Sequence, residues 1–378
     1  MVLSNFGIIE RMYTPPESYK QSREIFLKDL SQIKNLWPGA LHTKYPVSKS
    51  DDLTIDLISS SSKYPENLFF LSTGLHGIEG YLGSIMMQLF IEEFLPRFDP
   101  NRTGILLIHC INPSGMERRY RTNDANVDLN RNFVSDFSIM KGSNPDYPKM
   151  DGFFNPKYPI RSEAATKLAY VLQTLKWLLL TSPDRIRNAA LLGQYDAPTG
   201  MYFGGHDLQP ETRIIMGIIQ DWIPRFEKTL HLDIHTGYGP RFQMTLVQAF
   251  SELMSSVETQ VKFNIPRVAA SNPEEFYKMN GEMSDYIYKV ARESDRSVYS
   301  AAFEFGTYGE GIIQGARSLL TTIVGNQMKQ YYSSPKNRFW VERDYGELYF
   351  PSKKEWLEKA IENGRQAFKG ILEAKGFI

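Results

Sequence analysis

The sequence lacks the features that mark secreted, membrane or nucleic-acid-binding proteins. Of its 378 residues only Cys110 is a cysteine, so no disulfide can form within one chain, and we expect a reducing compartment, the cytoplasm. Lysine plus arginine number 43, as do aspartate plus glutamate, which leaves no overall positive charge to attract nucleic acid or an anionic membrane. The first 20 residues have no basic stretch followed by a long apolar core, so no signal peptide is predicted.

Long apolar runs are missing as well. The most apolar stretch, residues 175–180, contains Lys176 and is far too short to cross a bilayer. We interpret this stretch as the buried face of a helix. Neither a membrane nor a nucleic acid is therefore expected as a partner.

The chain does contain the material for a large α/β core. Hydrophobic residues make up 42% and aromatic residues 13% of the sequence. Nearly continuous apolar runs at residues 68–72 and 105–111 are typical of strands buried on both faces, and the predicted helix between them, residues 81–94, implies parallel pairing. We predict a single α/β domain over residues 1–378, with a mixed, mostly parallel central sheet flanked by helices. Insertions are expected at about 135–160 and 190–210.

Other local patterns complete this outline. Thr14 with Glu17 and Ser352 with Glu355 have the spacing of capping boxes, which predicts the starts of the first and last helices. Residues 135–160, rich in Gly, Pro, Asn, Ser and Asp, are expected to form a long surface loop. Further strands are predicted at 42–47, 53–59, 230–234, 244–249 and 298–305, and further helices at 163–180, 211–226, 281–292 and 312–330.

Two predicted strands each end in a histidine next to glycine. Residues 73–80 read Thr-Gly-Leu-His-Gly-Ile-Glu-Gly, which places His76 and Glu79 three residues apart, and residues 232–237 read Leu-Asp-Ile-His-Thr-Gly, which places His235 at a strand end. Ligand sites in α/β sheets lie at the carboxyl ends of strands. Two imidazoles and one carboxylate form a common catalytic zinc set.

A single histidine at a strand end is more often structural than a ligand, so each motif is weak by itself. His231 shares a strand face with His235 by period two and could compete as a ligand, although a core position is the better interpretation. The remaining histidines, His42, His109 and His206, have no such context and are interpreted as structural.

A third motif follows the strand that ends near residue 111. It begins with Asn-Pro-Ser-Gly at 112–115, continues with Arg118, Arg119 and Arg121, and ends with Val-Asp-Leu-Asn-Arg-Asn-Phe at 127–133. Arginines at a strand exit can bind a carboxylate through paired donors. The alternative is a turn followed by a solvated basic loop.

The fourth motif is a single carboxylate in an apolar strand. Glu304 lies within Ala-Ala-Phe-Glu-Phe-Gly-Thr, residues 301–307, where a charge costs several kcal/mol unless it is paired or ligated. A structural salt bridge would explain it, and so would a catalytic carboxylate with a perturbed pKa.

Taken in order, these motifs resemble the zinc carboxypeptidase superfamily, which includes carboxypeptidase A-like enzymes and the aspartoacylase and succinylglutamate desuccinylase branch. The amino-acid sequence of three segments is most similar to a bacterial-type subgroup of uncharacterised carboxypeptidase-like proteins. These segments are residues 127–133, 233–237 and 303–307. The motifs extend from residue 76 to 304, and their joint occurrence in this order is far more specific than any one of them.

The resemblance implies one zinc ion per chain, bound by His76, Glu79 and His235. It implies that Asp128 orients the first histidine, as such carboxylate partners do. It also implies that Glu304 is the general base, which accepts a proton from the attacking water and delivers it to the leaving nitrogen.

On the substrate side, the resemblance implies that Arg121 polarises the scissile carbonyl and that Asn130 and Arg131 bind the terminal carboxylate of the substrate. Arg119 is a further candidate for substrate binding, and Arg118 competes with it. The interval from Arg121 to Asn130 is shorter than in digestive carboxypeptidases and nearer to that of the deacylase branch.

The tyrosine that covers the substrate in classical carboxypeptidases has no clear counterpart, and Tyr238 and Tyr277 are the candidates. The predicted function is a zinc-dependent, carboxypeptidase-like hydrolase that cleaves an amide bond next to a free carboxylate, in a small peptide or an acylated amino acid. One alternative is an N-acyl-amino-acid deacylase of the aspartoacylase type. A second is a non-catalytic zinc protein that binds peptide C-termini, although such a binder has no use for Glu304.

Overall fold

The computed structural model describes residues 13–48, 52–270 and 279–378. Within these ranges the chain forms eight strands and twelve α-helices. The strands are β1 Leu41–Pro46, β2 Thr54–Ser60, β3 Asn67–Thr73, β4 Thr103–His109, β5 Lys228–Thr236, β6 Met244–Gln248, β7 Val268–Ala270 and β8 Ser297–Phe305. The helices are α1 Tyr19–Leu36, α2 Gly80–Glu93, α3 Pro113–Glu117, α4 Tyr147–Phe154, α5 Glu163–Leu180, α6 Pro183–Leu191, α7 Pro210–Trp222, α8 Ser256–Phe263, α9 Met283–Glu293, α10 Ile312–Gln330, α11 Pro335–Tyr349 and α12 Lys354–Lys375.

All eight strands join one sheet in the order β1-β2-β4-β3-β5-β8-β6-β7. The central pairs β4–β3, β3–β5 and β5–β8 are parallel, as is the edge pair β6–β7. The pairs β1–β2, β2–β4 and β8–β6 are antiparallel. The prediction of a mixed, mostly parallel sheet is confirmed.

Helices cover both faces of the sheet, which explains why its central strands are apolar throughout. Because side chains alternate along a strand, Phe69 and Phe70 of β3 belong to opposite cores. Phe69 packs in the core shared with α1, α2 and α12, whereas Phe70 packs in the core shared with α7 and α9. Each strand predicted from sequence is present, with bounds that differ by at most two residues.

The parallel arrangement brings three strand ends to one edge of the sheet. In the register of the sheet, Thr73 of β3 lies beside Ile234 of β5, and His235 lies beside Glu304 of β8. The chain leaves β3 through Gly74, where φ is +66° and an added Cβ atom would lie only 2.9 Å from the Cys110 sulfur. Both features favour a residue without a side chain. The loops that carry the predicted site therefore start from neighbouring strands.

Helix α5 contradicts the expectation of a buried face at residues 175–180. None of its residues is buried, and Leu179 is 88% exposed. The helix packs through its other side, where Tyr170 and Trp177 contact a small core around α4 and α6. The expectation was wrong because an apolar sequence shows only that a helix face could be buried. Whether it is buried depends on whether the tertiary structure places another element against it.

Three other local expectations also need correction. Residues 135–160 are not one loop, because α4 forms there around Tyr147 and Phe154, whose rings lie 5.4 Å apart. The first helix is capped by Ser18 rather than by Thr14. The N-cap of α12 is Lys353, which makes no side-chain cap, and the Ser352 N–H donates to Glu347 and not to Glu355. Helices α6, α8 and α11 were not predicted.

Among the helices of the described ranges, none combines the length and apolar character that crossing a lipid bilayer requires.

Candidate metal centre

The side chains of His76, Glu79 and His235 meet at the carboxyl edge of the sheet. The Nδ1 atom of His76 lies 3.0 Å from Oε1 of Glu79, and Nδ1 of His235 lies 2.9 Å from Oε2 of the same carboxylate. The two Nδ1 atoms are 3.2 Å apart. All three side chains are buried, and together they form a candidate metal site.

Tight backbone packing places His76 and Glu79 after β3. The 3-10 turn Gly77–Glu79 lies against the start of α3, and a Cβ atom on Gly77 would be only 2.1 Å from the carbonyl carbon of Gly115. Asn112 caps α3 by accepting a hydrogen bond from the Gly115 N–H at 2.9 Å. The Asn-Pro-Ser-Gly motif is therefore the surface on which the His-Gly-Ile-Glu turn rests.

Both histidines turn the same ring atom toward the cluster and the other toward a carboxylate. Nε2 of His76 lies 3.1 Å from Asp128, and Nε2 of His235 lies 2.6 Å from Asp233. At His235 the carboxylate beside Nε2 favours a proton on that nitrogen, which leaves the Nδ1 lone pair free for a metal ion. At His76 both Asp128 and the Arg121 guanidinium lie beside Nε2. The structure thus places Asp128 beside the first histidine, as the sequence suggested.

Asp233 is one of the site residues that were not predicted from the sequence. It lies on the same face of β5 as His235, and its Oδ1 accepts a 2.6 Å hydrogen bond from the Ser72 hydroxyl. That hydroxyl lies 2.9 Å from Nε2 of His231, whose Nδ1 lies 2.8 Å from the hydroxyl of Ser300. The period-two spacing in Asp-Ile-His was the available signal.

The same hydrogen-bond network shows that His231 is a core residue and not a rival metal ligand. The residue is fully buried within the sheet, and burial lowers the pKa of its ring to about 4, so the imidazole is neutral. Its ring packs 4.3 Å from Phe70, between centroids. His231 supports the site from the core and is not one of the three converging side chains.

Charge in the cluster is concentrated on Glu79 and Asp128. Burial by itself raises the pKa of Glu79. The facing imidazoles of His76 and His235 lower it by more than burial raises it, so the pKa lies well below its usual range. The pKa of Asp128 is also well below its usual value, because Arg121 and His76 outweigh the effect of burial. Both carboxylates are ionised and can hold a cation.

Arg121 lies on the cluster itself. Its guanidinium donates to Asp128 at 3.0 Å and to Glu79 at 3.3 Å, and one terminal nitrogen is 2.6 Å from Nε2 of His76. The backbone at Arg121 is held by Asn112, whose side chain donates to the Arg121 carbonyl at 3.1 Å. The structure therefore brings Arg121 to the site, bound to the residues around the metal position.

Asn130 and Arg131 follow Asp128 on a buried 3-10 turn. Oδ1 of Asn130 accepts a hydrogen bond from the Met283 N–H at 3.0 Å. The Arg131 guanidinium is fully buried and donates to the carbonyls of Asn130 and Leu191, while its Nε has no hydrogen-bond partner. Among the described residues no carboxylate forms an ion pair with Arg131, so its positive charge is available to an anion.

An aromatic ring separates the two arginines. The ring centroid of Tyr202 lies 5.2 Å from the guanidinium carbon of Arg121 and 5.7 Å from that of Arg131. Tyr202 is partly exposed and has a left-handed backbone, with φ of 53°. Nothing in the sequence near Tyr202 indicates that it lies beside the two arginines.

The other substrate-side candidates lie apart or are undescribed. Arg119 is exposed, donates to the carbonyl of Glu17 at 3.0 Å and stacks on Tyr81, so its contacts do not include the cluster. Burial raises the pKa of Tyr238, with smaller effects from Glu310 and Glu304 among others, so its phenol is un-ionised near the strand ends. Tyr277 lies outside the described residues.

Glu304 lies beside the cluster on the neighbouring strand. Its Cα is in register with that of His235, and its side chain is half-buried. Burial raises its pKa to about 8, even though the nearby charge of His235 lowers it. One carboxylate oxygen, Oε2, is buried without a hydrogen-bond partner. A structural salt bridge does not account for this residue, because no ion pair to it is present within the described part of the chain.

The three converging side chains fit a small divalent metal ion. Tetrahedral ligands about 2.0–2.1 Å from zinc lie roughly 3.3 Å from one another. The two imidazole nitrogens are 3.2 Å apart, and each lies 2.9–3.0 Å from the nearer oxygen of Glu79, with one ligand atom from each residue within 4.8 Å of the others. The carboxylates behind both imidazoles and the unpartnered Oε2 of Glu304 also favour a bound cation. Three protein ligands leave a further coordination position open, as catalytic sites do.

Sequence comparison assigns the chain to a family without an assigned activity. The family described as protein of unknown function, DUF2817, matches residues 16–363, so the chain belongs to it. No curated protein matches the chain in sequence.

Structure comparison finds carboxypeptidases among the similar folds. Carboxypeptidase A from Helicoverpa armigera is 14% identical with a TM-score of 0.47, over 93% of this chain and 74% of that one. Bovine thrombin-activatable fibrinolysis inhibitor, in complex with tick carboxypeptidase inhibitor, is 15% identical with a TM-score of 0.45, over 86% and 99% of the two chains. A metallo-carboxypeptidase from Pseudomonas aeruginosa is 12% identical with a TM-score of 0.41, over 83% and 68%.

These names agree with the resemblance drawn from the motifs. At TM-scores below 0.5 the matches add no weight to a functional assignment, which has to come from the geometry of this chain.

Proposed function

We propose that this protein is a zinc-dependent hydrolase that cleaves an amide bond next to a free carboxylate, as a carboxypeptidase does. The main support is that three metal-binding side chains converge within 3.2 Å of one another beside Glu304, a carboxylate with an unpartnered buried oxygen. We further propose one zinc ion per chain, a cytoplasmic location and no membrane or nucleic-acid partner.

In this proposal His76, Glu79 and His235 hold the zinc ion. Zinc in such a site polarises a carbonyl and lowers the pKa of a coordinated water to about 7. Glu304, on the adjoining strand, accepts the proton of the attacking water and later delivers it to the leaving nitrogen. Burial raises its pKa above that of an ordinary glutamate, which favours its return of the proton to the leaving group.

Asn130 and Arg131 are proposed to bind the carboxylate next to the scissile amide. A buried guanidinium without an ion-pair partner gains most when an anion arrives, because the pair then forms away from water. Arg121 would stabilise negative charge that develops on the scissile carbonyl oxygen, and losing such a donor typically costs about 10²–10³ in turnover. Arg119 stays a candidate for substrate binding, although its contacts lie elsewhere.

The test is a Glu304→Gln variant of the full chain, assayed after loading with zinc. We expect zinc content to remain near one per chain by elemental analysis while hydrolysis falls at least about 10³-fold, since the proton acceptor is lost. Glu66→Gln, which removes a partly exposed carboxylate paired with Arg102, is the matched control and should keep its activity. Unchanged hydrolysis by Glu304→Gln would rule out this residue as the base.

A substrate panel distinguishes the proposal from its alternatives. Peptides with a free C-terminus should be cleaved, and the same peptides with a C-terminal amide should not. Preference for N-acyl-amino acids over peptides would instead identify a deacylase, which the short interval between Arg121 and Asn130 favours. Zinc-dependent binding of peptide C-termini without any product would identify a non-catalytic binder.

A further inference from the structure

Helix α5 presents a row of apolar side chains to solvent. The row, called here the outer stripe, consists of Leu168, Val171, Leu172, Leu175 and Leu179, which are between 50% and 88% exposed. Their spacing of three, one, three and four residues places them on one face of the helix. Exposed apolar residues are common singly, but a continuous row of five is not.

The opposite face of α5 is the one attached to the protein. The Tyr170 hydroxyl donates to the carbonyl of Ala316 in α10 at 2.8 Å, and its ring stacks on Phe153 at 5.5 Å. Trp177 packs in the same small core. Because the attached face is set by these contacts, the helix cannot roll its outer stripe inward without breaking them.

The outer stripe offers enough apolar area for an interface. It leaves on the order of 600 Å² open, the upper end of the roughly 300–600 Å² found for the largest patch on a monomer. Leu178 and Leu180 on the same helix are 44% and 64% exposed, and Ile312 and Ile313 at the start of α10 are 93% and 80% exposed. By itself, the outer stripe paired with that of a second copy would bury on the order of 1,200 Å², the lower end of the range found for specific interfaces.

We propose that the outer stripe is the contact between two copies of this chain, with α5 of one copy packed along α5 of the other. The stripe has the three–four spacing of a helix that packs against another helix. A two-fold contact requires a surface that matches itself, and a row of leucine and valine side chains without a charge among them does so. Since each copy offers the same surface, the assembly closes at two copies.

A membrane surface is the less favoured occupant. Helices that lie on membranes have a strongly basic polar face, whereas α5 carries only Lys167 and Lys176, and Lys167 is already paired with Glu163 at 2.6 Å. The whole chain has a formal net charge of zero. Neither the helix nor the chain therefore provides the electrostatic attraction that would hold it on anionic lipid.

The test measures the mass of the full chain in solution by sedimentation equilibrium and light scattering. The native chain should have twice its 43.5 kDa mass at micromolar concentration, and the double variant L172E/L175E should have 43.5 kDa. The matched control L253E also places a charge at a leucine, one that is 98% exposed and outside α5, and it should remain a dimer. Far-UV circular dichroism and the melting temperature show whether each variant is folded.

A cysteine variant provides an independent readout, because the only native cysteine, Cys110, is buried. Leu172 lies near the middle of the outer stripe, so L172C should form an intermolecular disulfide under mild oxidation, whereas L253C should not. A native chain that is monomeric at 100 µM would overturn the proposal. So would a folded L172E/L175E variant that remains dimeric, or a monomer that sediments with anionic vesicles through α5.

Discussion

The two histidines of the metal centre are held in different ways. The support of His235 comes from inside the sheet: Asp233 and His231 on its own strand, Ser72 on β3 and Ser300 on β8. The support of His76 comes from loops, since Asp128 and Arg121 both lie in the long connection between β4 and β5.

This difference indicates how each half of the site responds to change. Residues within a sheet are placed by strand register, so the support of His235 forms whenever the sheet forms. The support of His76 depends on hydrogen bonds between loops, such as that from the Asp128 N–H to the Phe203 carbonyl at 2.8 Å. We expect changes in the sheet-held half to lower fold stability, and changes in the loop-held half to affect the site first.

The largest effect should follow from removing either histidine. His76→Ala and His235→Ala should each bring bound zinc below detection by elemental analysis and abolish hydrolysis, because two ligands do not retain the ion. The variants should differ in the metal-free state. His235→Ala leaves Asp233 buried without a positive partner and should lower the free energy of unfolding by on the order of 3 kcal/mol.

His76→Ala should lower stability less, since Asp128 and Glu79 keep their contacts with Arg121. Urea unfolding of both metal-free variants measures the difference. Equal losses of stability would mean that the two halves are not held differently, and zinc retained by either variant would contradict the ligand set.

The next effect is acid sensitivity of the sheet-held half. Burial lowers the pKa of His231 to about 4 in the folded chain, whereas it is about 6.5 in an unfolded one. The unfolded chain therefore binds a proton first as the pH falls, and on the order of 3 kcal/mol of stability is lost between pH 6.5 and 4. His231→Gln, which can still bond to both serines, should lose less stability over this range.

Unfolding free energies at several pH values, measured for the native chain and for His231→Gln, provide the test. His206→Gln, at an exposed histidine, is the matched control and should follow the native chain. If His231→Gln has the same pH dependence as the native chain, protonation of His231 does not cause the loss of stability at low pH.

The smallest effects should come from the carboxylates and the hydroxyl behind the imidazoles. Asp128→Asn and Asp233→Asn should each weaken zinc binding about 10–100-fold, the usual cost of losing such a partner. Ser72→Ala acts only through Asp233 and should cost less than Asp233→Asn. Competition with a chelator measures the three affinities, and a Ser72→Ala effect as large as that of Asp233→Asn would show that the hydroxyl matters in its own right.

Much of the candidate site could be predicted because its residues lie in short sequence motifs at strand ends or within an apolar strand. A histidine beside glycine at the end of an apolar strand identified His76 and His235, and a charge in an apolar strand identified Glu304. Asp233 was missed although it is two residues from His235, because the spacing of Asp-Ile-His shows a shared face and not a contact. Arg119 stays an untested candidate, and the sequence could not show that it contacts Glu17 and Tyr81 while Arg121 contacts the cluster.

The comparison of α2 with α5 shows where sequence information ends. Both helices are rich in apolar residues, yet eleven residues of α2 are buried and none of α5 is. The sequence alone determined which residues prefer helix, which strands are apolar on both faces, and which side chains can bind a metal ion. Only the tertiary structure decided which faces meet, because burial depends on packing partners that lie far away in the chain.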